Sequence, residues 1–277
     1  MRVTWRAIAI TMVENAGRGI GHLEILGAYD QYLFALGAAV GTLAAAGLLL
    51  WWTNRQASIA LRRSLRGVVA QLPSLIGVLF GLNLAFLAND TWSARDRATE
   101  AVYREADSLR GLLTVAHTLP PPEGDALAET VKAYAVEVVQ VEWPLLGRRR
   151  HSREATRLLD RMVAEISGAK GLGAATLSRS FLQEELAEIR RDRNLRISLS
   201  QTHVNPLKWL GMAFLGFLTM ISLAAVHLEA PRAEIFAVLL FAAAAAPSAG
   251  LVLVLGNPYQ PPVSISAQPI QDVLELP

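Results

Sequence analysis

Asn83 is the residue of this chain most open to a chemical role, because its amide falls near the middle of an otherwise apolar run of membrane length. A buried amide in such a setting is costly unless it meets a hydrogen-bond partner or water. On a helix it shares a face with Leu79, Leu87 and Asp90. If copies of that face surround a symmetry axis, they build rings of Leu, Asn, Leu and Asp. Those rings amount to an apolar constriction, a polar ring and a charged mouth, the makings of an ion path. The competing reading has Asn83 hydrogen-bonding across a helix bundle while Leu79 and Leu87 simply pack.

Other chemistries find less support. The five histidines (His22, His117, His151, His203 and His227) lie in separate segments, and no two have the i, i+4 spacing of a metal pair. Gly168, Gly171 and Gly173 suggest a phosphate loop, but neither a preceding strand nor a following Lys-Ser/Thr accompanies them. Glu184, Glu185 and Glu188 alternate with Arg190 and Arg191 at helical spacing, as on a solvated face. With no nucleophile elbow, zinc motif or dinucleotide fingerprint, no enzyme activity, cofactor or metal is expected. The absence of cysteine removes disulfides and thiolate ligands. A net charge of +2 argues against a nucleic-acid partner.

The elements that must position Asn83 follow from hydropathy. With 52% hydrophobic residues and a mean hydropathy of +0.33, the 277-residue chain is too apolar for an ordinary soluble domain and too charged to lie wholly in lipid. Four windows suit spanning helices: Tyr32 to Trp52, Val68 to Ala88, Leu207 to His227 and Ile235 to Gly256. Tyr32, Trp51, Trp52 and Trp209 sit where interfacial aromatics belong. No Pro or Gly falls between Gly81 and Gly111, so the second span should continue as one helix into water.

The residues between the second and third spans carry apolar stripes at helical spacing: Ala98 to Leu113, Leu127 to Val138, Ala155 to Ile166, and Leu177 to Ile189. The breaks fall at Pro120–Pro122, at Pro144 with the following arginines, and at Gly168–Gly173. The expected organisation is a non-spanning interfacial segment over 1–29, spans one and two over 30–90, and a helical extramembrane domain over 91–205. Spans three and four occupy 206–256, and a Pro-rich arm over 257–277 lies on this domain or a neighbour's. The first and last domain helices are expected to run directly into spans two and three. Arg55, Arg62, Arg63 and Arg66 in the first loop oppose Arg95, Arg97, Arg104, Arg190, Arg191, Arg193, Arg196 and Lys208 beside the domain. The second group favours a cytoplasmic domain.

With these residues in view, the chain resembles the bacterial bestrophin-like domain family, a distant relative of the bestrophin anion channels. The resemblance rests on Ala85-Phe86, Trp92, Ala98, Val102, Arg104, Glu105 and Ala106; on Glu142-Trp143-Pro144; and on Asn257-Pro258-Tyr259 with Ile265-Ser266 and Pro269. The run Asn89-Asp90-Thr91-Trp92-Ser93-Ala94-Arg95 is similar to one that follows the bestrophin neck helix. That register implies neck positions at Leu79, Asn83 and Leu87, although a polar Asn83 departs from the pattern. No acidic cluster resembles the calcium clasp of the animal proteins. The residues themselves lead to an all-α integral membrane protein of four spans, with a helical cytoplasmic insertion between spans two and three, assembled as a homo-oligomer around the second span. The resemblance adds the bacterial inner membrane, a favoured pentamer, and passage of small inorganic ions, most readily anions, across the lipid bilayer. Trp92, Glu105, Glu142, Trp143, Pro144, Asn257 and Pro258 would be structural motif residues. The alternative is a membrane-anchored scaffold or sensor that does not conduct.

Overall fold

The computed structural model describes residues 30–56, 71–168, 176–201, 206–261 and 263–276. The expected interfacial segment over 1–29, most of the first loop and the 169–175 connection lie outside them. The long helices are α1 (Asp30–Gln56), α2 (Gln71–Ala116), α3 (Glu123–Glu137), α5 (Arg153–Gly168), α6 (Thr176–Gln201), α7 (Pro206–His227) and α8 (Pro231–Val254). A π-turn (Val138–Glu142) and the short α4 (Trp143–Gly147) follow α3, and a further short helix, α9 (Gln268–Gln271), leads into a final 3-10 turn (Asp272–Glu275). The described residues contain no strand. Helices α1, α2, α7 and α8 are long and apolar enough to cross a membrane.

Helix α2 organises the molecule. Its 46 residues make a rod of about 69 Å, more than twice the thickness of a bilayer's apolar core. Pro73, Gly77 and Gly81 do not interrupt it. In the membrane part it packs on α7, while α1 lies along α8 and meets α7 only sparsely. Beyond the membrane, α2 packs on α6 and α3, and α5 closes the bundle against α3 and α6. Leu109, Leu112, Val131, Tyr134, Leu146, Met162, Leu182 and Ile189 form its fully buried core. The expected passage of α6 into α7 falls on 202–205, outside the described residues.

The structure narrows two local expectations. Pro144 does not end a helix, because it occupies the first turn of α4, where proline is tolerated. The chain turns instead at Arg148–Arg150, with Arg149 in the left-handed region at φ 58°. The C-terminal arm lies on its own chain's domain, with α9 and the 3-10 turn against α2 and α3 and with Ile265, Ile270 and Val273 joining the core.

Candidate functional site

One azimuth of α2 is exposed along nearly its whole length. Residues 18 apart on a helix recur at the same angle after about five turns, and Val78, Asp96 and Thr114 are all exposed. Between them the same face carries Leu82, Phe86, Asn89, Ser93, Glu100, Tyr103 and Asp107, each exposed. Leu75, Val78, Leu82 and Phe86 retain 61%, 67%, 50% and 61% of their surface. The stripe is thus apolar over the spanning half, amide and hydroxyl at Asn89 and Ser93, and charged beyond.

This stripe is displaced from the one expected from the sequence by about one residue, or about 100° of helix rotation. Leu79 sits on its edge at 45% exposure, whereas Leu87 has no exposed surface. Leu87 packs with Phe80, Met212, Ala249 and Val252 within the chain. Asn83 is half-buried against α7, its side-chain nitrogen 3.6 Å from the point where Gly211 would carry a Cβ. Asp90 is half-exposed and paired with Lys208 of α7 at 2.5 Å. Trp92 is 54% exposed on the flank of the stripe. The expected quartet is therefore split between the open face and the packed one.

On the opposite face, the domain half of α2 holds a carboxylate. Glu105 is fully buried and takes a two-pronged ion pair from Arg196 of α6, Nε to Oε2 at 2.5 Å and Nη2 to Oε1 at 2.8 Å. The Tyr134 hydroxyl donates to Glu105 Oε1 at 2.7 Å. Arg196 Nη2 also reaches Glu142 Oε1 at 3.4 Å, and Arg193 donates to Glu142 through Nη2 at 2.6 Å and Nε at 3.1 Å. Arg193 further donates to Thr156 Oγ1 and to the Ser152 carbonyl, while the Ser152 N–H donates to Glu142. Two glutamates and two arginines thus neutralise one another out of water, and the planar guanidinium fork suits the pairing. Glu142 closes the π-turn, a rare irregularity that recurs at sites under functional constraint.

Burial lifts the Tyr134 phenol well above its ordinary range, and the adjoining Glu105 carboxylate adds to the shift. Burial alone would lower Arg196, but the Glu105 carboxylate and its hydrogen bonds outweigh it and hold the guanidinium charged. Asp192 is also raised by burial, against the pull of Arg104. The ring of Trp143 covers Arg196 at 5.2 Å and meets Tyr259 edge-on at 5.4 Å, while its Nε1 donates to the Ile265 carbonyl at 3.0 Å. The Asn257 amide donates to the Leu146 and Gly147 carbonyls, and its oxygen accepts the Tyr259 N–H. At Gly147 a Cβ would stand 3.0 Å from the Tyr259 carbonyl oxygen, tighter than ordinary van der Waals contact, so glycine lets the arm approach closely. Pro258 is buried beside them, and Pro144 is exposed. Glu105, Glu142, Trp143, Asn257 and Pro258 therefore converge on one clasp joining α2, α4, α6 and the arm.

The partners Arg193, Arg196 and Tyr134 escaped the sequence reading. A pair of arginines at i, i+3 on a helix resembles solvated charge, although Arg193 follows Ile189 of the apolar stripe at helical spacing. Their ion pairs also remove Arg193 and Arg196 from the surface charge that argued for a cytoplasmic domain. Among the described residues, no group of His, Asp and Glu is arranged to hold a metal ion.

A four-span helical bundle with one helix running from lipid into a helical domain, closed by a C-terminal arm, defines a membrane protein of the bestrophin architecture. The model of the Bestrophin-like domain matches residues 40–270, and the chain belongs to that family. No curated protein sequence matches it. A tryptophan-to-alanine variant of a bacterial bestrophin homologue from Klebsiella pneumoniae superposes with TM-score 0.63 at 12% identity, covering 87% of this chain and 94% of that one. An aspartate-to-alanine variant of the same homologue gives 0.61 at 14% identity, covering 87% and 96%. A proline-to-alanine variant described as a membrane protein also gives 0.61 at 14%, with the same coverage. These likenesses establish the fold, and with the family they support an ion channel as the general class of function.

Proposed function

We propose that the chain assembles as a homo-oligomer, a pentamer by family resemblance, and conducts small inorganic ions along an axis lined by the open face of α2. The observation that carries this reading is the continuity of the exposed stripe. Its spanning part keeps large apolar side chains that the rest of the chain leaves largely uncovered, and the same azimuth continues into water as a polar and charged face, so one side of α2 stays open to other copies along its length. Around an axis, Val78, Leu82 and Phe86 form stacked apolar rings spaced by about one helical turn, and Asn89 and Ser93 form a polar mouth. Along the charged half, Glu100 pairs with Arg104 at 3.0 Å and Asp107 with Arg110 at 2.8 Å, while Asp96 adjoins Arg97. Because these charges balance, the sign of the permeant ion rests on the resemblance, which implies anions.

Purified protein in planar bilayers is expected to carry current, and Leu82→Ala or Phe86→Ala to raise it several-fold by widening an apolar ring. Silent bilayers from a correctly assembled oligomer would overturn the reading in favour of a non-conducting scaffold. A reversal potential in a salt gradient assigns the ion's sign. We further propose that the protein resides in the bacterial inner membrane with its helical domain in the cytoplasm. The chain lacks cysteine, so a single Cys introduced at Ser93 should react with a membrane-impermeant reagent only from the cytoplasmic side.

A further inference from the structure

Four arginines, Arg148, Arg149, Arg150 and Arg153, crowd with His151 into the turn between α4 and α5, and residues 143–153 contain no acid. Arg148, Arg150, His151 and Arg153 are exposed. The acids that flank this run are already engaged. Glu142 is held by Arg193 and Arg196, Glu137 accepts the Ser152 hydroxyl, and Glu154 pairs with Arg157 at 2.8 Å. Arg150 and Arg153 take part in no ion pair among the described residues. The backbone that carries them is fixed. The N–H groups of Arg148 and Arg150 donate to the Leu145 carbonyl at 2.9 and 2.8 Å, and that of Arg149 donates to the Leu146 carbonyl at 3.0 Å. The turn is therefore an ordered patch of uncompensated positive charge.

Its place in the fold says what meets it. Helix α3 starts at the far end of α2, with Gly124 against Ala116 and Leu119, and runs back toward the membrane past the bond from Tyr134 to Glu105. Helix α4 continues the descent until its Leu146 and Gly147 carbonyls accept the amide of Asn257, the third residue beyond the end of α8. Further along the same arm, the Pro261 carbonyl accepts the hydroxyl of Tyr32, which opens the first spanning window. Helix α5 then leaves, with Asp160 bound to Arg190 and Glu165 to Thr130. The turn is thus the membrane-facing tip of the hairpin that α3 and α5 make, at the level where the spanning helices end. Headgroups fill a layer of about 5–8 Å on each side of a bilayer's apolar core, within reach of an arginine side chain. Zwitterionic headgroups cancel the charge of their own phosphate, whereas anionic ones do not and are attracted by cations clustered beside a spanning helix. We propose that the 148–153 turn binds the phosphates of anionic phospholipids in the leaflet facing the domain, chiefly through Arg150 and Arg153, and so ties the domain to the membrane surface. The proposal rests on the membrane fold and does not depend on conduction.

The test is native mass spectrometry of the detergent-purified assembly offered dioleoyl phosphatidylglycerol and dioleoyl phosphatidylcholine together. Wild type is expected to retain the anionic lipid in preference. Arg150→Gln with Arg153→Gln should lower that preference about 25-fold, about fivefold for each cation removed. Arg150→Lys with Arg153→Lys should keep most of it. Arg161→Gln with Arg190→Gln removes the same charge about 12 Å farther along α5, beyond the screening length, and should change the preference less than about twofold. An undiminished preference in the first Gln pair, or an equal loss in the second, would overturn the site. Glycerophosphoglycerol, the same headgroup without acyl chains, should not displace the lipid at the lipid's own concentration. If it does, a free phosphate ester is the ligand and the assignment to the membrane falls. Should the first Gln pair fail to assemble, wild type decides alone. Its preference should fall several-fold when ammonium acetate rises from about 0.1 to about 0.5 M, and a preference indifferent to salt would overturn the proposal.

Discussion

Helix α2 solves opposite problems at its two ends. In the domain it hides a charge, Glu105, from water and fixes it with Arg196 and Tyr134. In the membrane it leaves large apolar side chains uncovered, with Leu82 and Phe86 at least half-exposed. The domain end is complete within one chain, since every charge in its clasp has its counter-charge there. The membrane end is not, because the open face of α2 is left largely uncovered by the rest of the chain. The contrast has a physical origin. Water punishes an exposed apolar stripe and a buried lone charge, whereas lipid tolerates the first and cannot rescue the second. A rigid domain can therefore hold α2 in place while its spanning half adapts to whatever surrounds it.

The largest effect should come from breaking the complete end. Arg196→Met leaves Glu105 buried without its two-pronged partner and strips Glu142 of one contact, and it is expected to cost about 3–5 kcal/mol. Thermal unfolding followed by circular dichroism should show the loss. Adding Glu105→Gln to Arg196→Met should recover much of it, because the stranded charge goes. If Arg196→Met unfolds like wild type, the clasp does not hold the domain together.

Next comes a test within the spanning half, between two neighbours about 100° apart on the helix. Leu87→Ala empties a packed site against Met212 and Val252 and should cost about 2 kcal/mol of stability with little change in current. Phe86→Ala touches only the open face and should do the reverse, changing current while leaving stability within about 0.5 kcal/mol. Were Leu87→Ala the variant that conducts more, the one-residue rotation between the expected and observed stripes would be wrong.

That rotation shows where sequence reading runs out. Four spans, the long second helix and the four-helix domain were legible because length, hydropathy and the 3.6-residue period are local properties. Around Asn83 nearly every residue is apolar, so period alone cannot say whether 78–82–86 or 79–83–87 faces a partner. Only the neighbours α7 and α8 decide that. Family landmarks led to Glu105, Glu142 and Trp143 because their residue types are unusual where they stand. Arg196 and Tyr134, some 60 residues apart, carry no local signal that they meet on one carboxylate.

The smallest effect probes the clasp by pH. The Tyr134 phenol is held well above its ordinary value of about 10, so between that value and its native one the folded chain keeps a proton that the unfolded chain has lost. Stability should therefore fall as pH rises past about 10, since the unfolded state binds fewer protons there. Tyr259, also raised by burial, contributes in the same direction. Tyr134→Phe should cost about 1 kcal/mol at neutral pH, where Glu105 Oε1 loses one of its two donors but keeps Arg196. The same variant should flatten the alkaline slope, leaving the part due to Tyr259. Denaturant melts at pH 8 and pH 11 check both signs at once. A variant that loses stability at pH 8 yet keeps the full alkaline slope would mean that the phenol titrates freely, and that the clasp is open to water in a way its geometry forbids.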